Sequence, residues 1–295
     1  MPTLLDFRRR IRSVKNSQQI TRAMKFVAAA RLRRAQEAAL TARPYAQELA
    51  RVLRSTMARI QEPQHPLLER REEKNVLAIV LSGERGLAGA FNTNILRKAT
   101  EFFRAHRDKK IVTIPVGKKG RDSLKKAGFT FAGEWVNVLA RVEFKTAREI
   151  AKLATDLYAE NKVDSVYIIF SEFKSVMAPN LTVEKLLPVE AIREEKGSEE
   201  KESGKSAETQ VDYIYEQPEA QLLDKLLPRY VETQILRAML ESSASEYAAR
   251  MTAMESATKN AGDVIEALTL HMNKVRQAAI TKEIIEIVSG AAYGS

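Results

Sequence analysis

The sequence contains no cysteine among its 295 residues. That absence excludes a disulfide, a catalytic thiolate and any metal site built on cysteine sulfur. Aromatic residues make up only 6% of the chain, which favours long helices rich in alanine and leucine over a large sheet sandwich. No apolar run approaches the ~18–20 residues that a membrane-spanning helix needs. The longest strand-like run covers residues 76–81.

Acidic residues are scarce at the N-terminal end. The whole chain carries a net charge of +10, and residues 1–34 hold ten Lys and Arg against the single acid Asp6. Such a segment favours an acidic partner, which could be nucleic acid, an anionic lipid surface or an acidic protein face. An Arg-rich start is also typical of a mitochondrial presequence. Here the helical pattern continues past residue 30, which favours a structural helix.

Small and apolar side chains recur through residues 244–292 at steps of three, four and seven. This is the a/d rhythm of a helix with one narrow apolar seam, and so long a helix needs a partner helix to cover that seam. Glu255 and Gly262 interrupt the rhythm and are predicted to weaken the pairing locally. The predicted seam positions are Ala244, Ala248, Met251, Thr258, Ile265, Leu268, Met272, Val275 and Ala279.

Residues 3–60 are predicted to supply the partner helix. Pro44 is expected to kink or divide it, because proline removes a backbone donor. The return helix is predicted to begin near residue 216 and to end at Gly290. Together the two helices predict an antiparallel coiled coil. The predicted seam of the first helix comprises Ile20, Met24, Val27, Ala42, Ala46, Leu49, Leu53, Thr56 and Ile60.

The middle of the chain alternates strands with helices, which predicts a small, largely parallel, Rossmann-like α/β domain. The fold class is therefore α/β with long helices, in which the α/β domain is inserted between the two halves of the coiled coil. The predicted limits are 1–62 for the N-terminal helix, 70–192 for the α/β domain, 193–212 for a mobile charged loop and 213–295 for the C-terminal helix. The predicted strands are 76–81, 111–116, 165–170 and 181–187, with a further one within 129–138, and the predicted helices are 92–107, 120–127 and 143–161.

Two glycine-rich turns invite comparison with phosphate-binding loops. Gly83, Gly86 and Gly89 separate a strand from a helix, but their spacing is neither GxGxxG nor the GK[ST] ending of a P-loop. Gly117 and Gly120 form a similar turn around two lysines. A tight turn explains both stretches without a ligand, so the sequence favours a structural role. Asn92 or Asn94 is predicted to cap the helix that follows the first turn.

The sequence contains no pattern of residues typical of a catalytic or metal site. His65, His106 and His271 are isolated and lack the spacing of zinc ligands. Glu283 and Glu286 lie one helical turn apart and could exchange protons, but no nucleophile accompanies them. The sequence therefore predicts no catalytic residue, no cofactor and no metal.

The C-terminal string ITKEIIEIVSGA, residues 280–291, matches the pattern I-T-x-E-x-x-E-x-x-x-G-A of the gamma subunit of F-type ATP synthases. The resemblance covers essentially the whole chain. Two local departures are Tyr293, where the family has a small or basic residue, and Ala88, where a cysteine is common. Since the chain has no cysteine, the thiol switch of plant-type members is excluded and a bacterial type is favoured. The other similar stretches are 12–29, 43–45, 85–89 with Asn92, 213–216, 229–232 and 246–251.

The resemblance implies a non-catalytic, central-stalk rotor subunit. Its terminal helices are expected to turn inside the head's ring of catalytic and non-catalytic subunits. Its α/β domain is expected to rest beside the epsilon subunit on the membrane rotor ring of c subunits. Proton or sodium flow would then be coupled to ATP synthesis or hydrolysis. The expected location is peripheral, on the cytoplasmic face of the bacterial cell membrane, with only indirect membrane contact and no nucleic acid.

By the same resemblance, seven residues are candidates for contact with the partner subunits. Met24 and Lys25 are expected at the neck of the shaft. The others lie on the return helix: Arg276, Gln277, Thr281, Glu283 and Glu286. Without the C-terminal pattern, the alternative is a basic coiled-coil protein that binds nucleic acid or acts as a scaffold.

Overall fold

A computed structural model describes residues 3–59, 65–175, 179–189 and 219–293. The chain divides into two compact units. The terminal unit comprises Met1–Ala30 and Arg250–Ser295, and the central unit comprises Arg31–Ala249. The predicted charged loop, 193–212, lies outside the described residues. Within the described ranges, no helix combines the length and apolarity needed to cross a bilayer.

Two long helices, α1 (Leu4–Arg59) and α5 (Glu219–Tyr293), run through both units. Asp6 lies in the first turn of α1, and its carboxylate accepts hydrogen bonds from the backbone N–H and the hydroxyl of Thr3. The expectation that Pro44 could divide α1 is wrong, because the helix is continuous through it. Ala39 and Ala46 are buried on either side of the proline, and this packing offsets part of the roughly 3 kcal/mol cost of an internal proline. Nor does α5 end at Gly290, since it continues to Tyr293.

The two helices of the terminal unit run antiparallel, as predicted. Near the start of α1, the ring of Phe7 lies 5.1 Å from that of His271. Further along α1, Lys25 Nζ lies 2.6 Å from Glu255 Oε1. As the residue number increases along α1, from 7 to 25, the residue number of the partner on α5 decreases, from 271 to 255. The two helices therefore pair antiparallel. Glu255 therefore adds an ion pair at the position where a weakened seam was predicted.

Polar groups near the middle of the terminal unit also connect the helices. Gln18 Nε2 donates to the carbonyl of Thr258 at 3.3 Å. The hydroxyls of Thr21 and Thr258 are 2.8 Å apart. Gly262 faces the same region, because a methyl group there would lie 3.2 Å from Gln18 Nε2. The glycine thus lets the helices approach closely where a seam defect was predicted.

The seam of α1 lies on a different face from the predicted one within the terminal unit. Ile20 and Val27 were predicted to be buried, but they are 60% and 53% exposed. Phe7 and Ala28 are buried instead. A small alanine fits between closely spaced helices at this position, whereas the larger Ile20 and Val27 are exposed. In the central unit four predicted seam positions are buried: Ala46, Leu49, Leu53 and Thr56. Ala42 is partly buried, and Ile60 lies outside the described residues.

The central unit contains a five-stranded sheet in the order β3-β2-β1-β4-β5. The strands β1 to β4 are parallel to their neighbours, whereas β5 is antiparallel to β4. Only a short connection separates β4 from β5, and a parallel crossover needs a dozen or more residues. The strands are β1 (Asn75–Leu81), β2 (Lys110–Val116), β3 (Thr130–Phe131), β4 (Ser165–Phe173) and β5 (Pro179–Leu187).

Helices cover both faces of this sheet, which explains why β1 is an unbroken apolar run. On one face, Leu77, Ile79 and Leu81 pack in a core with residues of α4 and α5. On the other, Val76 and Val80 pack with residues of α2. The shorter helices are α2 (Phe91–Ala105), α3 (Lys118–Lys126) and α4 (Phe144–Ala159).

Candidate functional site

The glycine-rich loop after β1 is held by a side chain of α2. Gly83 N–H donates to Asn92 Oδ1 at 2.8 Å. The Nδ2 atom of Asn92 donates to the backbone carbonyl of Arg85 at 3.5 Å. The N-cap of α2 is Ala90, with no side-chain cap bond. The prediction that Asn92 or Asn94 caps this helix is therefore wrong. Asn92 instead closes the loop that leads into the helix.

The carboxylate of Glu84 occupies the N-terminal end of α3. Its Oε2 accepts the backbone N–H of Lys118 at 3.0 Å, and its Oε1 accepts that of Val138 at 3.0 Å. Exposed amides and a positive partial charge make a helix N-terminus attractive to phosphate. Here a carboxylate of the chain itself already provides the negative charge.

The remaining turn around α3 is closed by Ser82. Its hydroxyl accepts the N–H of Gly120 at 2.7 Å and lies 3.3 Å from the carbonyl of Val116. Gly117 has a φ of 103°, and a Cβ there would come within 2.0 Å of the Ser82 carbonyl oxygen. Both glycine-rich turns thus bring chain segments together, and their internal hydrogen bonds use amides that a phosphate would need. This geometry agrees with the structural role favoured by the sequence.

A charged network ties four strand-end segments together around Glu73. Its carboxylate lies 2.8 Å from Lys109 Nζ, 2.9 Å from Lys185 Nζ and 3.0 Å from the hydroxyl of Tyr167. Burial tends to raise the pKa of Glu73, but these three hydrogen bonds outweigh it and lower the pKa to about 2. The two lysines and the tyrosine each bond to the Glu73 carboxylate, so the network is a structural clamp and not a proton-transfer site.

The histidines have structural partners. His65 Nδ1 accepts the N–H of Leu67 at 3.0 Å. Burial lowers the pKa of His65, while Asp224, 3.6 Å away, opposes the change. The ring of His106 stacks on Phe102 at 4.2 Å. The third histidine packs within the terminal unit, as described above. Across the described ranges, no three His, Asp or Glu residues form a group that could hold a metal.

Of the seven candidate contact residues, the two on α1 are half-buried. Met24 is partly covered, and the Lys25 side chain, 33% exposed, is held by Glu255. The ion pair holds the lysine side chain against α5 instead of leaving it extended into solvent. Three large apolar neighbours that the sequence did not single out as contact residues are Ile20, Phe26 and Val27, exposed by 60%, 62% and 53%. The sequence pattern assigned Ile20 and Val27 to the buried seam, so it gave no indication of their exposure.

The candidates on α5 lie near its C-terminal end. The hydroxyl of Thr281 donates to the carbonyl of Gln277 at 2.9 Å, one turn earlier. The side chain of Glu286 lies outside the described part of the structure. The structure does not join these residues to Met24 or Lys25 by any described hydrogen bond or ion pair. The exposed candidates are Arg276, Gln277, Thr281 and Glu283.

The last turns of α5 expose a row of large apolar side chains. Phe7 contacts His271 close to the first residue of α1, so the antiparallel α5 extends beyond the start of α1. Exposed apolar surface that is contiguous commonly marks a protein interaction site. The exposed residues are Ile280, Ile284, Ile285, Ile287 and Val288, with exposures from 49% to 72%.

These features define a class of protein: a coiled-coil protein with an inserted α/β domain and an exposed apolar helix end. Comparison with known proteins identifies the family. The family model described as ATP synthase matches residues 3–292. ATP synthase gamma chains from Solibacter usitatus and Pelotomaculum thermopropionicum are 48% and 46% identical, each over 99% of both chains.

Solved structures show the same fold. A chain from the Euglena gracilis mitochondrial ATP synthase OSCP/F1/c-ring structure has a TM-score of 0.64 at 21% identity, covering 98% of this chain and 93% of that one. A chain from the rotor structure of the same enzyme has a TM-score of 0.61 at 21% identity, covering 94% and 98%. The chain therefore belongs to the ATP synthase gamma-chain family, and the prediction drawn from the C-terminal pattern is confirmed. Nothing found supports the alternative of a nucleic-acid-binding or scaffolding coiled coil.

Proposed function

We propose that this chain is the central-stalk rotor subunit of an F-type ATP synthase and has no catalytic site of its own. The observation that carries the proposal is the apolar end of α5, which projects past α1 and exposes five large aliphatic side chains. Apolar contacts are non-directional, so such a surface can turn within a protein sleeve without breaking fixed hydrogen bonds. Catalysis belongs to the subunits that surround it.

The antiparallel pair in the terminal unit suits the transmission of torque. Two helices joined along their length resist twisting and bending better than one. Lys25 and Glu255, together with Gln18 and Thr258, provide links between them. Slippage of one helix past the other would break these links together, so rotation applied to one helix is carried by both.

The contact residues follow from this role. We expect Met24 and Lys25, with the neighbouring Phe26, to meet the catalytic subunits at the neck. We expect the residues 276–286 of α5 to meet the ring that encloses the shaft. We propose that residues 70–192 form one inserted domain, the foot of the stalk. The helical segments 1–62 and 213–295 form the shaft, and the charged segment 193–212 connects the foot to the second helix.

The relatives also suggest where the foot binds. A chain from the central stalk and c-ring structure of the Tetrahymena thermophila mitochondrial ATP synthase shares this fold with a TM-score of 0.59. By analogy, the central unit binds the c-subunit ring and the epsilon subunit. We expect the chain to lie at the cytoplasmic face of the bacterial cell membrane, where proton or sodium flow would turn the ring.

Reconstitution tests the proposal. The purified chain is mixed with the ring subunits of the ATP synthase head, and ATP hydrolysis is measured with and without it, together with rotation of a bead fixed to the central unit. We expect the chain alone to have no ATPase activity and the assembled complex to rotate during hydrolysis. ATP hydrolysis by the chain alone, or hydrolysis without rotation of the chain, would refute a rotor role.

A further inference from the structure

The central unit contains an open cleft of about 640 Å³ that none of the features above uses. It lies where one face of α1, one face of α5 and the end of β4 meet. Ala46 and Ala50 of α1 line it, and their small side chains leave the space between the helices. Most ligand sites in proteins have volumes of ~300–1,000 Å³, so the cleft can hold a small organic molecule.

Glu241 is a buried carboxyl group in the wall of this cleft. The residue is 3% exposed, and its Oε2 has no hydrogen-bond partner among the described residues. Burial raises the pKa of Glu241; Arg237 and Arg43 oppose the rise, while Glu172 and Glu184 reinforce it. A neutral carboxyl group carries an O–H donor, and a buried donor without an acceptor is costly. Glu241 lines the cleft, so a ligand oxygen that reaches this carboxyl group can accept its hydrogen bond.

Positive charge dominates the rest of the lining. Arg43, Arg54, Lys174 and Arg237 line the cleft with only Glu172 and Glu241 as acids. Lys174 and Arg237 already have carboxylate partners. Neither Arg43 nor Arg54 forms an ion pair with a described carboxylate, and both are exposed at the cleft. This balance of charge disfavours a metal cation and favours an anion.

The spacing of the two arginines indicates what kind of anion fits. Arg43 and Arg54 are eleven residues apart on one face of α1, which separates their Cα atoms by roughly 16 Å. An extended anion with two charged groups can bridge them better than a single phosphate. Phe173 and Tyr230 also line the cleft and offer apolar surface to an organic part.

We propose that this cleft binds a small organic anion that carries two or more linked phosphate groups. The guanidinium groups of Arg43 and Arg54 hold the phosphate oxygens, because planar guanidinium donors pair well with phosphate. The carboxyl of Glu241 donates a further hydrogen bond. The proposal concerns binding by the chain itself and does not depend on the rotor function.

Calorimetric titration of the full-length chain with pyrophosphate, orthophosphate and ADP tests it. We expect pyrophosphate to bind more tightly than orthophosphate, and ADP more tightly than pyrophosphate. Arg43→Ala and Arg54→Ala should each weaken pyrophosphate binding about tenfold, the loss expected for one charge-assisted hydrogen bond. Arg104→Ala, an exposed arginine of α2, is the matched control and should bind as the wild type does.

Three results would overturn parts of the proposal. Absence of saturable binding, or equal weakening by Arg104→Ala, rules out a site at the cleft. Equal affinity for ADP and pyrophosphate rules out an organic ligand and leaves an inorganic polyphosphate. Since Arg43 and Arg54 are both exposed, their replacement should preserve the fold, which a wild-type melting temperature verifies.

A second measurement tests Glu241. Ethane-1,2-disulfonate keeps the same charge at every pH used, so any change in its binding reports on the protein. We expect wild-type affinity to fall as the pH rises, because ionised Glu241 repels the anion. Glu241→Gln retains an N–H donor without a charge and should bind the disulfonate independently of pH. The same pH profile in both proteins would exclude Glu241 from the site.

Discussion

Lys25 Nζ lies 2.6 Å from Glu255 Oε1, in a bond that joins the first and last helices of the chain across 230 residues of sequence. The two side chains are 33% and 60% exposed, so solvent screens their attraction. An exposed pair of this kind contributes ~0.2–1 kcal/mol. The ion pair therefore matters more for the register of α1 against α5 than for the stability of the fold.

Charge reversal tests this pair. We expect Glu255→Lys to destabilise the chain by roughly 1 kcal/mol, because it places two cations together. The double variant Lys25→Glu/Glu255→Lys should recover most of that loss. Urea denaturation at low and high salt measures both effects. If the double variant is no more stable than the sum of the single changes predicts, the contact makes no energetic contribution.

Gly117 should be intolerant of even a methyl group. A Cβ at this residue would lie 2.0 Å from the Ser82 carbonyl oxygen, and its φ of 103° is unfavourable for any other residue. We expect Gly117→Ala to lower the free energy of unfolding by at least ~2 kcal/mol. Gly86→Ala is the control, because a Cβ there meets nothing within 4 Å. A similar loss in both variants would mean that the close approach to Ser82 is not the cause.

The clamp around Glu73 predicts a specific pH dependence. Its pKa falls from 4.5 to about 2 in the folded chain, so the folded state binds fewer protons than the unfolded state between these values. The resulting stability is fully present above about pH 5 and is lost as the pH falls towards 2. It amounts to at most about 3 kcal/mol at neutral pH.

Glu73→Gln removes the titrating group and tests that expectation. At pH 7 the variant should be less stable than the wild type in urea denaturation, and the difference should shrink steadily as the pH is lowered from 5. Glu69→Gln provides a comparison, since Glu69 is an exposed carboxylate paired with Arg71. A Glu73→Gln deficit that stays constant down to pH 3 would contradict the lowered pKa.

The exposed end of α5 predicts where assembly is most sensitive. Ile284 and Ile287 are 54% and 72% exposed, so their replacement by Asp should leave the isolated chain folded. In the reconstituted complex, we expect either change to weaken assembly or torque substantially, because a charge would be buried in an apolar contact. Rotation assays and co-purification with the ring subunits measure the loss. Ala207→Asp, in the predicted charged loop, is the control, and an equal effect there would contradict the proposed shaft contact.

The sequence was informative wherever a repeating pattern determines structure. The unbroken apolar run at 76–81 predicted a strand, and the structure confirms it as β1, which is buried on both faces. Periodic apolar positions predicted the two long helices and their antiparallel pairing. The glycine-rich turns were assigned a structural role, with which the bonds of Glu84 and Ser82 agree.

Patterns failed where one helix can rotate about its own axis. Ile20 and Val27 satisfy the spacing of a seam as well as Ala28 does, yet only Ala28 is buried. The polar composition of residues 241–246 gave no indication of burial, although Ser242 and Glu241 are almost completely covered. The inserted sheet and α1 surround this part of α5, and neither neighbour can be inferred from the local sequence.

The sequence by itself determined the order of helices and strands, the antiparallel partnership of the chain ends and the family, because these depend on periodicity and on a contiguous pattern. Only the tertiary structure decided which face of α1 is buried and which oxygens accept hydrogen bonds from the backbone N–H groups at the start of α3. It also decided that Arg43, Arg54 and Glu241 line one cleft. Those outcomes depend on contacts between residues far apart in the chain. Their distances and solvent exposure are set by packing, which no local pattern encodes.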